Sequence, residues 1–250
     1  MAAERTIELR VRRQEGPEAA PYWQSFRVPW KPHHNVISAL MELRVNPVTI
    51  AGERVAPPAW EASCLEEVCG SCAMLVNGEV RMACTALVDQ LAQPITLEPM
   101  SKFPVVRDLI VDRSRMFESL KRIKGWIPID GTYDLGPGPR ISPDRQELMY
   151  SLDQCITCGC CLEVCPQVHR GGDFIGPAAI AQALLFNLHP TGERSRDERL
   201  AVLMEAGGIA SCGNAQNCVE VCPKDIPLTH AIAEIGRQTT LKWLKDLFQR

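Results

Sequence analysis

The stretch Cys64-Leu65-Glu66-Glu67-Val68-Cys69-Gly70-Ser71-Cys72, with Cys84 twelve positions beyond its end, decides how this chain folds. Its C-x4-C-x2-C spacing with a distant fourth cysteine is the pattern in which four thiolates hold a [2Fe–2S] cluster. Gly70 lets the backbone turn tightly between Cys69 and Cys72 and point amides at sulfur, which favours the added negative charge of a reduced cluster. The hairpin that follows explains the far ligand. Ala73–Val76 and Glu79–Met82 flank Asn77-Gly78, a pair that tolerates positive φ at both turn positions. With Val76 opposite Glu79, Cys84 falls opposite Ser71 and diagonally beside Cys72, back at the loop that bears the other three. Zinc is the competing occupant of these four residues, but zinc ligand pairs usually have two to four intervening residues and no fixed far partner in a hairpin.

On the N-terminal side, Ile7, Leu9 and Val11 alternate with polar neighbours, and Phe26 and Val28 do so again after Gln14–Ala20, which predicts an opening β-hairpin. Asn35 is the predicted N-cap of a helix to about Arg44, whose Val36, Ala39, Leu40 and Leu43 form an apolar stripe for packing on the sheet. Residues 1–111 therefore read as a β-grasp, ferredoxin-like [2Fe–2S] domain. From Asp112 the period becomes helical, with Met116, Phe117, Leu120 and Ile123 on one stripe and Asp112 as the expected cap. Ile127–Pro143 holds Pro128, Gly131, Gly136, Pro137, Gly138, Pro139 and Pro143 and is predicted to be a long loop laid over the second domain. Beyond it, Pro177 suits a first helical position before Ala178–Leu188, Ser195 with Glu198 predicts a capping box, and Gly207-Gly208 predicts a stop. An amphipathic helix from about Leu228 carries Ile232, Ile235, Leu241, Leu244 and Phe248. The fold class is α+β: the β-grasp domain followed by an all-α two-cluster ferredoxin domain over residues 112–250.

Two further cysteine runs lie in that second part. Cys155-x2-Cys158-x2-Cys161-x3-Cys165-Pro166 is the bacterial two-cluster pattern, in which the fourth cysteine ligates the other cluster. Its partner run has Cys212, Ala215 where a cysteine is expected, Cys218, and Cys222-Pro223. Crossing the fourth cysteines puts Cys155, Cys158, Cys161 and Cys222 around a [4Fe–4S] cluster and leaves Cys165, Cys212 and Cys218 for the other. Three thiolates facing a methyl group predict a [3Fe–4S] cluster there, with a water-held fourth iron as the alternative. Cys160 is read as a spare buried thiol. Three clusters in one small chain serve to move single electrons, and the absence of a glycine-rich dinucleotide fingerprint places any flavin or dicarboxylate chemistry on another chain.

With 250 residues, 46% of them apolar, the chain can build two modest cores. A net charge of -3 offers nothing to favour nucleic acid or a polybasic membrane attachment. No basic region precedes an apolar stretch at the N-terminus, so a reducing, cytoplasmic setting is expected, where thiols serve metal better than disulfides. No apolar run approaches the roughly 20 residues of a membrane span, so membrane contact would run through a partner. His33 and His34 read as surface residues, His189 as interacting with helix C-terminal carbonyls, and Ser195–Arg199 as a solvated helix start.

Taken together, the Cys64–Cys72 loop, Phe103-Pro104-Val105-Val106-Arg107-Asp108-Leu109, Phe174-Ile175-Gly176-Pro177 and the two Cys-Pro runs resemble the iron–sulfur subunits of succinate dehydrogenases and fumarate reductases. The resemblance spans nearly the whole chain. It implies [2Fe–2S], [4Fe–4S] and [3Fe–4S] clusters in sequence, a FAD-containing flavoprotein partner that oxidises succinate, and a membrane-anchor cytochrome b subunit with a quinone. It also implies a peripheral position on the cytoplasmic face of the inner (cell) membrane. Fumarate reduction is the same apparatus run in reverse, and a zinc-stabilised interaction module is the alternative outside this class. Ubiquinone-linked members carry tryptophan at the position of Arg170 and histidine at that of Gly213. Leu162–Val168 and Phe186–Gly192 instead resemble members from menaquinone-using bacteria, which points to menaquinone and makes Pro166, His169 and Arg170 candidates near its headgroup. For His169 a solvated loop position is the alternative.

Overall fold

A computed structural model of the chain describes residues 5–128 and 140–249. Most of the predicted loop at Ile127–Pro143 thus lies outside the described residues. The structure falls into two compact units, residues 1–113 with 156–163 and residues 114–155 with 164–250.

The first unit is built on a five-stranded sheet. Strands β1 (Thr6–Arg13), β2 (Tyr22–Pro29), β3 (Ala73–Val76), β4 (Glu79–Met82) and β5 (Ile95–Glu98) take the order β2-β1-β5-β3-β4. β1 and β5 are parallel and the other pairs antiparallel. The alternation expected of β1 is seen: Ile7, Leu9 and Val11 are fully buried. Helix α1 (Val36–Val45) is closed at its start by a capping box, in which Asn35 Oδ1 accepts the Ser38 amide at 2.8 Å and Ser38 Oγ accepts the Asn35 amide at 2.8 Å. Val36, Ala39, Leu40 and Leu43 are buried as their stripe predicts. His34, expected at the surface, is buried because its backbone lies between the Lys31 carbonyl and the Val88 amide.

Strands β6 (Val105–Arg107) and β7 (Ile110–Val111) form a separate ribbon whose turn holds Asp108. Asp108 is fully buried and accepts hydrogen bonds from Arg13 Nε at 3.0 Å, the Gln14 amide at 2.9 Å and the Ala59 amide at 2.8 Å. One carboxylate therefore ties the end of β1 to the segment entering the Cys64 loop. The four-residue helix α4 (Cys160–Glu163), also in this unit, is fixed by Glu163. Its carboxylate accepts the Ser101 amide and hydroxyl at 2.9 and 2.6 Å and the Lys102 amide at 3.0 Å.

The second unit is helical: α2 (Ser114–Arg122), α3 (Pro143–Asp153), α5 (Pro177–Leu188), α6 (Arg196–Leu203), α7 (Asn217–Glu220) and α8 (Leu228–Phe248). Ile180, Leu184, Leu200, Leu203, Ala231 and Ile235 make its core. Four expectations need correction. A short 3-10 turn at Gly192–Ser195 runs directly into α6, so Ser195 lacks the extended backbone of a cap and its side chain caps nothing, while Glu198 pairs with Lys124. Arg199, read as solvated, is fully buried, and its guanidinium is held by the carbonyls of Lys124 and Gly192 at 3.1 and 2.8 Å and by Asn187 Oδ1 at 2.9 Å. Burial lowers its pKa, and the carbonyl oxygens stand in for the missing carboxylate. Phe117, placed on the apolar stripe of α2, is 54% exposed. The last turns of α8 likewise leave Leu241, Leu244 and Phe248 exposed.

Candidate metal centres

The Cys64–Cys72 loop takes its shape from left-handed residues. Leu65, Glu67 and Gly70 have φ of 61°, 57° and 75°. This winding turns successive amides inward, so Cys64 Sγ accepts hydrogen bonds from Glu66, Val68 and Cys69 amides at 3.4, 3.2 and 3.3 Å. Such a nest of amides suits negative sulfur. The Cys64 and Ser71 groups around Cys69 bring that thiol down to about 6, chiefly through the Cys64 backbone hydrogen bond. Register does the rest: Val76 pairs with Glu79 and Ala73 with Met82, and the Ala83 amide bonds the Cys72 carbonyl at 3.2 Å. Cys84 thereby lies beside Cys72. Burial first, and the Cys84 thiol second to it, push Cys72 up to about 12. A buried thiol held up in this way resists ionisation until a cation neutralises its thiolate, and iron supplies such a charge.

Around Cys158 the same devices recur. Thr157 and Gly159 have φ of 53° and 90°, and Cys158, Cys160 and Cys161 are buried. The Cys160 thiol donates to the Cys158 sulfur and, with the Cys160 amide and the positive charge of Arg113, brings Cys158 down to about 7 in spite of its burial. Cys160 itself is buried, as the reading of a spare buried thiol expects. Within this unit the two cysteine loops touch. A Cβ on Gly70 would sit 2.5 Å from the Ile156 carbonyl oxygen and 3.0 Å from Cys158 Cα. Cys158 and Cys161 belong to the first unit, Cys155 and Cys222 to the second.

Within the second unit, Cys165, Cys212 and Cys218 line one cavity, and Ala215 lines it with them. Burial, followed by the neighbouring Cys165 and Cys212, raises the pKa of the Cys218 thiol. Asn214 and Gln216, flanking Ala215, have φ of 53° and 65°, again the winding that presents amides to a loop's interior. Pro166 lines the same cavity, whereas His169 and Arg170 are exposed and lie outside its lining. Arg115 holds their loop by donating to the carbonyls of His169, Gly172 and Phe174 at 2.8, 3.0 and 2.9 Å. His189 ends α5, and its Nδ1 accepts the Thr191 and Gly192 amides at 3.2 Å each; the ring is an acceptor toward the next turn. Among the described residues no three His, Cys, Asp or Glu side chains converge as one metal ion requires. Clusters spread their thiolates over several irons. The donor set, all thiols among inward amides, fits iron–sulfur clusters.

A sheet-borne cysteine loop followed by helices bearing two Cys-Pro runs defines an iron–sulfur electron-transfer protein. Residues 8–118 match the family of 2Fe-2S iron-sulfur cluster binding domains and residues 151–226 that of 4Fe-4S dicluster domains. The succinate dehydrogenase iron-sulfur subunit of Bacillus subtilis is 55% identical over 248 residues, 99% of this chain and 98% of that protein. The fumarate reductase iron-sulfur subunit of Mycobacterium tuberculosis is 34% identical over 92% of this chain and 91% of its own. A chain of the Mycobacterium smegmatis Sdh1 complex in the apo form has the same fold, with a TM-score of 0.76 at 24% identity, covering 95% of this chain and 96% of that one. This chain belongs to the family of succinate dehydrogenase and fumarate reductase iron–sulfur subunits.

Proposed function

We propose that the chain carries electrons between a FAD-containing flavoprotein that oxidises succinate and a quinone, menaquinone, at a membrane-anchor cytochrome b subunit. The ligands are Cys64, Cys69, Cys72 and Cys84 for [2Fe–2S], Cys155, Cys158, Cys161 and Cys222 for [4Fe–4S], and Cys165, Cys212 and Cys218 for [3Fe–4S]. When bound, the clusters supply one-electron acceptors and donors that no side chain can provide. The protein's part is to set their environment. Amides aimed at Cys64 favour added negative charge, and burial of Cys72, Cys84, Cys158 and Cys161 excludes water. Exposed Leu65 and Val68 leave an apolar surface on the first loop, where a reductant subunit would dock.

One observation carries this reading: three thiols and the Ala215 methyl share one cavity, a donor set one thiolate short of a cube. Among the described residues no helix is long and apolar enough to cross a membrane, and the chain would take its peripheral place at the cytoplasmic face through the anchor subunit. Membranes holding the assembled complex are expected to reduce a menaquinone analogue with succinate, and anaerobic spin-resonance spectra to show a reduced [2Fe–2S] and an oxidised [3Fe–4S] signal. Absence of either signal, or zinc without acid-labile sulfide, sinks the proposal. Fumarate reductase activity exceeding succinate oxidation in the same membranes would reverse the direction.

A further inference from the structure

Arg113 is the last residue of the first unit and stands where its two cysteine loops meet. Its Nη2 donates to the Ser71 carbonyl at 3.0 Å, between Cys69 and Cys72 in the loop that Gly70 presses against Ile156 and Cys158. Its Nε is buried without a hydrogen-bond partner, and Nη1 lies 3.6 Å from Glu61 Oε2. The guanidinium is 16% exposed, its carboxylate partner 47%. The half-exposed carboxylate offsets part of the guanidinium's field, and its removal should strengthen what reaches the two loops.

We infer that Arg113 is a positioning residue whose fixed positive charge is shared by the Ser71 segment and Cys158, and that it raises the reduction potentials of the [2Fe–2S] and [4Fe–4S] clusters together. The inference rests on the ligand sets proposed above. Adding an electron to either cluster adds negative charge, so a nearby cation stabilises the reduced form more than the oxidised one. A unit charge several ångströms away in a partly buried setting is worth about an order of magnitude in the oxidised-to-reduced ratio.

Redox titration of the whole complex, followed by spin resonance, tests this. Arg113→Met is expected to shift the oxidised-to-reduced ratio of the [4Fe–4S] cluster at fixed potential about tenfold toward oxidised, equivalent to about 59 mV for one electron. The [2Fe–2S] cluster is expected to move the same way and the [3Fe–4S] cluster to titrate as in the wild type. Arg113→Lys should retain most of the effect. Glu61→Gln should shift both clusters toward reduced, since it removes the opposing charge. Methionine and lysine variants shifting alike, or Glu61→Gln leaving both clusters unmoved, overturns the inference. Glu61→Gln decides the matter even where Arg113→Met does not assemble. Missing wild-type cluster signals would instead remove the ligand reading beneath it, a separate outcome.

Discussion

Ala215 puts a methyl group into the cavity that Cys165, Cys212 and Cys218 also line, and a single change there should alter cluster type. Ala215→Cys supplies the fourth thiolate, and the oxidised three-iron spin signal is expected to disappear with a gain of about one iron per chain. Metal analysis beside the spectra checks it; an unchanged three-iron signal refutes the assignment. Gly70 makes a different demand. At φ 75° with a backbone oxygen 2.5 Å from where a Cβ would stand, Gly70→Ala must move the Cys69–Cys72 loop or the Ile156 peptide. A loss of about 1–3 kcal/mol in stability is expected, with reduced [2Fe–2S] content. Thermal unfolding and iron-to-protein ratios measure both. The sequence showed Gly70's turn; what the turn packs against came only from the fold.

At the scale of elements, two buried carboxylates hold otherwise irregular segments in place. Asp108 joins the β6–β7 turn to β1 and to the approach to the first cysteine loop, and Arg13 beside it is nearly fully buried. Asp108→Ala leaves that guanidinium uncompensated and is expected to cost about 3–5 kcal/mol, read as a lowered denaturation midpoint. Glu163 does for α4 what a longer helix would do by packing, because four residues cannot sustain a helix alone. Glu163→Ala removes the acceptor for the Ser101 and Lys102 amides and should destabilise the first unit by about 2–3 kcal/mol, seen by hydrogen exchange at those amides. Neither carboxylate stood out in the sequence, since an acid far from its partners carries no periodic signature. The failed cap at Ser195 has the same origin. Its Ser-x-x-Glu pattern was present, but the preceding 3-10 turn gave the residue helical-turn backbone in place of an extended one.

Across the whole molecule, left-handed residues wind through each cysteine run and only four-residue helices brace the two later ones, so much of the fold depends on what the thiols hold. Anaerobic removal of iron by chelation is expected to lower the thermal midpoint by about 10 °C or more and to melt α7 while the five-stranded sheet persists. Circular dichroism and hydrogen exchange on holo and stripped protein would show it, and an unchanged midpoint would mean the cages stand without metal. The sequence by itself determined the cysteine spacings, the Asn77-Gly78 hairpin that returns Cys84 to its loop, the capped α1 and the order of sheet before helices. These are local: turn chemistry, periodicity and ligand separation act within a dozen residues. Only the tertiary structure decided that Arg199 and His34 are buried, that Cys160 donates to Cys158, and that Arg113 reaches Ser71. Each depends on partners brought together by folding, and a charge or thiol reveals its role only when the groups facing it are known.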